Sequence, residues 1–75
     1  MQLEWTDVEN LSTASGGNRI YPEEFEIEYR GDRSFFYVFK NGVHFGQYKT
    51  LSRSKHHCQK AQDNIDGNTP ENLRI

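Results

Sequence analysis

The chain has 75 residues, of which 33% are hydrophobic, and a formal net charge of -2. This length allows one small hydrophobic core and does not favour a deep, water-excluded active site. Cys58 is the only cysteine, which excludes an intramolecular disulfide, and no apolar run approaches the roughly 20 residues that cross a bilayer. We therefore expect a cytoplasmic, non-enzymatic protein without a cofactor or a membrane partner.

The N-terminal third is predicted to be the least regular part of the chain. Residues 2–6 alternate apolar and polar side chains, which indicates a short edge strand. Residues 9–18 are rich in Ser, Gly and Asn, which favour turns, with a brief strand at residues 11–14 and a mobile point at Gly16 and Gly17.

The middle of the chain predicts a meander of three strands. Apolar residues alternate with glutamates over residues 25–29, as in a half-buried strand. Gly31 and Asp32 predict a two-residue turn into a β-forming run over residues 34–40. Asn-Gly at 41–42 is typical of a type I′ turn and leads into a third strand, residues 43–49.

A helix is predicted after Thr50, whose hydroxyl is a suitable N-cap. Small and apolar residues recur there at intervals of three and four, suited to packing on a sheet. They are Leu51, Ser54, Cys58, Ala61 and Ile65. Gly67 is expected to end the helix, and residues 67–75 are expected to form a flexible tail.

The predicted fold class is therefore α+β. We expect a three-stranded antiparallel meander, with a fourth strand if the N-terminal segment pairs, and one C-terminal helix packed on one face. Residues 1–66 form the single domain in this interpretation, with residues 1–22 as its least defined part.

The two turns also predict which side chains share a face of the sheet, because directly opposed residues point the same way. The expected pairs are Ile27–Phe36, Phe25–Val38, Val38–Phe45, Tyr37–Gly46 and Phe36–Gln47. The face under the helix then holds Phe25, Ile27, Tyr29, Phe36, Val38, Val43 and Phe45. The opposite face holds Glu26, Glu28, Phe35, Tyr37, Phe39, His44 and Tyr48. A single bulge would exchange the faces.

The second face predicts a partner-binding surface, since so many aromatic side chains in one patch require a cover. The cover is either the N-terminal segment with Leu3 and Trp5, a second copy of the chain, or a foreign partner.

Motifs for metal binding and nucleophilic catalysis are weak. His56, His57 and Cys58 are consecutive, and on a helix consecutive side chains point about 100° apart, so they cannot converge on one ion. Cys58 lies on the inner stripe, where a thiol behaves as a small hydrophobe. We expect neither a metal site nor catalytic residues.

Nucleic acid is an alternative partner. Basic side chains on the helix and the preceding loop would contact phosphates, and aromatic side chains would stack on bases. The basic candidates are Lys49, Arg53, Lys55, His56 and Lys60. The acidic first third of the chain opposes this interpretation.

The stretches 35–42 and 45–55 resemble small phage and prophage accessory proteins, in which a strand, a glycine turn, a second strand and a threonine-capped helix follow in this order. The matching positions are Gly42, Gly46, Thr50 and Leu51. The same order of elements is more distantly similar to the DNA-binding domains of tyrosine recombinases and plant ethylene-response factors. Those domains carry Arg and Lys on the outer face of the sheet, where this chain has glutamates and aromatic residues.

The phage resemblance implies an accessory protein that binds a host protein in the host cytoplasm and inhibits a nucleic-acid-handling or defence complex. An acidic edge beside an aromatic patch suits a basic target. The alternatives are a small DNA-binding module that uses the basic helix face, and a structural protein that forms homodimers through its aromatic face.

Overall fold

The computed structural model describes residues 1–74. Its elements in chain order are β1 (Thr6–Val8), β2 (Leu11–Gly17), β3 (Pro22–Arg30), β4 (Phe35–Lys40), β5 (Val43–Tyr48), α1 (Leu51–Asn68) and a 3-10 helix (Glu71–Leu73). The strands form one antiparallel sheet in the order β1-β2-β3-β4-β5, and α1 packs on one face of it.

The predicted α+β class and the meander with a C-terminal helix are confirmed, whereas the predicted count of three or four strands is too low. Strand β2 includes the brief strand predicted at residues 11–14 and is longer than predicted, although it is built from small residues without alternating large hydrophobic ones. Its strand conformation follows from seven residue pairs with β3, from Leu11–Glu28 to Gly17–Pro22, and so from tertiary pairing rather than from local propensity. Strand β1 lies at residues 6–8, not at 2–6.

The small residues of β2 let the helix lie close to the sheet. Ser12, Ala14 and Gly16 are buried on the helix side. A Cβ atom on Gly16 would clash with Oε1 of Gln62 on α1, so no larger residue fits there without movement.

The turn between β3 and β4 is longer than predicted. Arg30 pairs with Phe35, so four residues form the turn, and Ser34 within it has a positive φ of 57°. Ile27 therefore lies opposite Val38 instead of Phe36. Because this shift is an even number of residues, both strands keep their predicted faces.

The hairpin between β4 and β5 begins as predicted and then departs from the expected register. Asn41 and Gly42 both have positive φ angles, 54° and 80°, as a type I′ turn requires. A bulge then interrupts the ladder between Val38 and Phe39, leaving Phe45 without an opposite residue. The predicted pairs Val38–Phe45, Tyr37–Gly46 and Phe36–Gln47 are therefore wrong: Gly46, Gln47 and Tyr48 take the positions opposite Val38, Tyr37 and Phe36.

The core lies between the sheet and α1. Its buried hydrophobic residues are Leu3, Ala14, Phe25, Ile27, Val38 and Cys58. Two residues predicted for this face, Val43 and Phe45, are 69% and 40% exposed, because they lie at the hairpin tip and at the bulge.

The helix begins as predicted and ends later. The Thr50 side-chain oxygen accepts a hydrogen bond from the Arg53 N-H at 3.1 Å. Gly67 does not end α1, which continues to Asn68 with Thr69 as its C-cap. The 3-10 helix follows, and the Leu73 carbonyl accepts a hydrogen bond from the Arg19 N-H at 3.2 Å. Ile75, the last residue of the predicted tail, lies outside the described residues.

No helix within residues 1–74 combines the length and the apolar composition needed to cross a bilayer.

Candidate protein-binding face of the sheet

The face of the sheet opposite α1, here called the open face, is not covered by any other element of residues 1–74. The predicted cover by the N-terminal segment is wrong, because that segment lies on the helix side. The Leu3 side chain is in the core, and its N-H donates to Gln59 Oε1 of α1 at 2.8 Å. Trp5 also packs against this core.

The open face is organised as two rows that cross all five strands in register. The first row contains Thr6, Thr13, Glu26, Phe39 and His44. The second contains Val8, Leu11, Glu28, Tyr37 and Gln47. In both rows a glutamate of β3 lies directly between a small or aliphatic residue of β2 and an aromatic residue of β4. Acidic and aromatic groups are thus neighbours throughout.

The aromatic side chains form a continuous band, which comprises Phe35, Tyr37, Phe39 and His44. The rings of Phe35 and Tyr37 lie 6.4 Å apart in an edge-to-face arrangement. The His44 ring lies 5.9 Å from Tyr37 and 5.8 Å from Phe39, and so joins the two rows. These spacings are typical of favourable aromatic pairs, which give the band a defined shape.

The glutamates beside the band differ in their contacts. Glu24 accepts a hydrogen bond from the Ser15 hydroxyl at 2.9 Å. Glu28 Oε1 lies 3.4 Å from Arg30 Nε. Glu26 is exposed, and its carboxylate makes no hydrogen bond or ion pair with the part of the chain that the structure describes. Of these three glutamates of β3, the central one, Glu26, therefore has a carboxylate available to a partner.

Arg30 shows how a cation is held on this face. Its guanidinium carbon lies 4.8 Å from the centre of the Tyr37 ring, while its Nε is close to Glu28. The positive group therefore contacts an aromatic ring and a carboxylate that lie directly opposite each other in the ladder.

An open groove of about 570 Å³ runs along the acidic side of this face. One wall is aliphatic, with Val8 61% exposed and Leu11 41% exposed. The other wall carries the carboxylates of Glu26 and Glu28. Such a groove suits a long side chain with an aliphatic stem and a positive end.

Six of the seven residues predicted for a partner-binding face share the open face: Glu26, Glu28, Phe35, Tyr37, Phe39 and His44. Tyr48 does not, because the bulge at Phe45 turns it to the helix side. There its ring stacks on His57 with centroids 4.2 Å apart and planes 7° from parallel. Gln47 lies on the open face instead, opposite Tyr37, where Gly46 was predicted. The aliphatic wall at Val8 and Leu11 was missed, since neither strand that holds it has a strong sequence pattern.

The structure divides the predicted basic set. Arg53, His56 and Lys60 follow helical spacing along one side of α1 and are exposed. Lys49 precedes the helix and is exposed. Lys55 lies elsewhere: its Nζ is 3.2 Å from Asp7 Oδ2 and 5.6 Å from the centre of the Trp5 ring.

His57 lies beside this exposed basic stripe. Its partial desolvation, together with the positive charges of His56, Arg53 and Lys60, lowers its pKa below the ordinary value. Arg53, His56 and Lys60, with His57 beside them, therefore form a cluster of basic groups on α1.

Cys58 is fully buried in the core, and burial raises the pKa of its thiol to about 11. It is protonated at neutral pH. Among residues 1–74 no three or more His, Cys, Asp or Glu side chains are grouped to hold a metal ion.

Comparisons of the chain with protein-family models, with curated proteins and with solved structures find no match.

Proposed function

We propose that this chain is a non-catalytic binding protein whose open face recognises a basic region of a protein partner. The observation that supports this proposal is the register of the two rows, which places Glu26 opposite Phe39 and Glu28 opposite Tyr37. Anionic and aromatic groups then meet the same part of a partner.

The two kinds of group have different roles in such an interface. Carboxylates attract a basic surface, speed the encounter and fix its orientation. Aromatic side chains supply most of the contact energy, since buried aromatic anchors dominate the affinity of protein interfaces. Tyr37 and Phe39 are half-buried in the isolated chain and lose little conformational freedom on binding.

The similarity to phage accessory proteins extends the proposal to the identity of the partner. The target is a host protein of a nucleic-acid-handling or defence complex, whose surface is basic because it binds nucleic acid. The carboxylates of Glu26 and Glu28 would then occupy that surface and inhibit the complex.

Fluorescence anisotropy with labelled deca-lysine and deca-arginine tests the proposal. Both peptides are expected to bind at low salt. Replacing Glu26 and Glu28 by Gln should weaken binding at least fivefold. The matched control, Glu4→Gln with Glu71→Gln, removes two exposed acids elsewhere and should change affinity less than twofold.

The aromatic contribution is tested with Tyr37→Ala and Phe39→Ala. Each variant should keep its circular dichroism spectrum and bind the peptides more weakly. Equal losses in the two charge variants would show nonspecific attraction and overturn the proposal. So would unfolding of both alanine variants, which would place these residues in the core.

A second candidate function is DNA binding by the basic stripe of α1, favoured by the clustering of Arg53, His56, His57 and Lys60. A 20-base-pair duplex should then shift in a gel at low salt. The shift should disappear in Arg53→Glu with Lys60→Glu and persist in the matched control Arg19→Glu with Arg33→Glu. The absence of any shift at low salt removes this candidate.

The remaining alternative is a structural homodimer formed through the aromatic band. Light scattering distinguishes it from the leading proposal. A dimer that Phe39→Ala converts to a monomer would mean that a second copy covers the open face, whereas a monomer leaves that face free for a foreign partner.

A further inference from the structure

Arg30 occupies one of two equivalent positions on the open face. Its guanidinium lies over Tyr37 and beside Glu28, which are paired across β3 and β4. One row away, Glu26 and Phe39 are paired in the same way.

The second position lacks a cation from the described chain. Arg30 reaches the Glu28–Tyr37 pair from two residues further along β3. The residue in the same relation to Glu26 is Glu28. Its negative charge repels the Glu26 carboxylate and cannot take the place of a cation. Within residues 1–74, Glu26 accordingly has no ion-pair partner and no Lys or Arg lies over the Phe39 ring, whose neighbouring ring is that of His44.

We propose that the Glu26–Phe39 pair binds the guanidinium of an arginine side chain from a protein partner, as Glu28 and Tyr37 hold Arg30. The inference rests on the proposed function and names the group that the open face recognises.

Arginine fits this position better than lysine does. A guanidinium is planar, stacks on an aromatic ring, and donates several hydrogen bonds to a carboxylate in a fixed geometry. An ammonium is a strongly hydrated point charge without a stacking face. Val8 and Leu11 line the same groove as Glu26, one row away from it, so the aliphatic stem of the arginine also finds a surface.

Amide NMR titrations with blocked pentapeptides test the inference. The peptides are acetyl-Gly-Gly-X-Gly-Gly-amide with arginine, lysine or citrulline at X. We expect millimolar binding of the arginine peptide, about threefold tighter than that of the lysine peptide, because only the guanidinium stacks on the ring while donating to the carboxylate in a fixed geometry. The citrulline peptide has the same shape without the charge and should not bind. The shifted amides should be those of Thr13, Glu26 and Phe39.

Two variants make the assignment specific. Glu26→Gln should abolish these shifts, while the control Glu24→Gln should keep them, because Glu24 is already bonded to Ser15. Arg30→Gln should vacate the first position and add a second set of shifted amides at Glu28 and Tyr37.

The possible failures are distinguishable. If the arginine and lysine peptides bind equally and Glu26→Gln abolishes both, the open face binds basic groups but the arginine inference is wrong. If no pentapeptide shifts the Glu26 or Phe39 amides while deca-lysine still binds through the glutamates, the inference again fails alone. If the deca-peptides do not bind either, the proposed function fails with it.

Discussion

The Gln62 side-chain amide and the Gly17 backbone are joined by two hydrogen bonds. Oε1 accepts from the Gly17 N-H at 2.6 Å, and Nε2 donates to the Gly17 carbonyl at 3.0 Å. Strand β1 pairs with residues 11–13, so within residues 1–74 this end of β2 has no neighbouring strand on that side. The glutamine of α1 therefore supplies the hydrogen bonds that another strand would make.

Gln62→Met should strongly destabilise the fold. The substitution keeps the approximate size of a fully buried side chain but leaves the Gly17 N-H and carbonyl without partners. Buried unpaired polar groups cost about 1–3 kcal/mol each, so we expect a loss of about 2–4 kcal/mol in urea unfolding. Gln47→Met, on the exposed open face, is the control and should change stability by less than about 0.5 kcal/mol. Equal stability of both variants would contradict a structural role for Gln62.

Two glycines should respond oppositely to alanine. In Gly16→Ala the new Cβ would clash with Gln62 Oε1 and lie 2.9 Å from the Phe25 ring, so the helix or the strand must move. Gly67 lies within α1, and a Cβ there would meet no atom of residues 1–74 within 4 Å. Gly67→Ala should raise stability by about 0.5–1 kcal/mol, while Gly16→Ala should lower it by about 1–3 kcal/mol. Thermal unfolding measures whether each variant is more or less stable than the wild type. A stabilised Gly16→Ala variant would show that α1 is not packed closely on β2.

The sequence was most informative where hydrophobic alternation is strong. The alternation of Phe25 and Ile27 on β3 predicted which residues of the central strands share a face. This assignment is correct although the turn is two residues longer than expected, because a register shift of two residues leaves every side chain on the same face. Thr50 and the Asn41–Gly42 turn likewise have local chemistry that depends on few neighbours.

The prediction failed where tertiary contacts decide the structure. A bulge at Phe45 has no reliable local signal, and its odd shift moved Tyr48 to the other face. The pairing of β2 depends on β3 and on Gln62, a polar residue that the apolar stripe of the helix did not include. A glutamine at a buried helix position is understandable only once the unpaired end of β2 is known.

The Cys58 thiol should be unreactive in the folded protein, and its titration should make the free energy of unfolding depend on pH in the alkaline range. Burial raises the pKa of its thiol to about 11, so the folded state holds this proton more tightly than the unfolded state. The resulting stabilisation is complete below the unfolded value of about 8.5 and is lost as pH rises towards 11. The difference in unfolding free energy between the wild type and Cys58→Ala should therefore change in favour of the variant over this range. A pH-independent difference, or rapid reaction of Cys58 with a thiol reagent without denaturant at pH 8, would contradict the assignment.

His57 should titrate at lower pH than an isolated histidine, and its neighbours should control the shift. Desolvation lowers its pKa first, followed by repulsion from His56, Arg53 and Lys60, so Arg53→Gln with Lys60→Gln should raise it. The His57 Cε1 proton followed by NMR measures this change, and Lys40→Gln, whose side chain pairs with Glu23, is a control that should leave the titration unchanged. Because the folded pKa is lowered, the associated stability is present above the unfolded value of about 6.5 and is lost as pH falls through the folded value.

The same titration distinguishes the two surfaces. A duplex bound to the basic stripe would bring phosphates near His57 and raise its pKa, whereas a basic peptide on the open face would leave it unchanged, since α1 and the open face lie on opposite sides of the sheet. An unaltered His57 titration with excess duplex, together with shifts at Glu26 on addition of deca-arginine, would assign recognition to the open face. A raised His57 pKa with duplex would assign it to the helix.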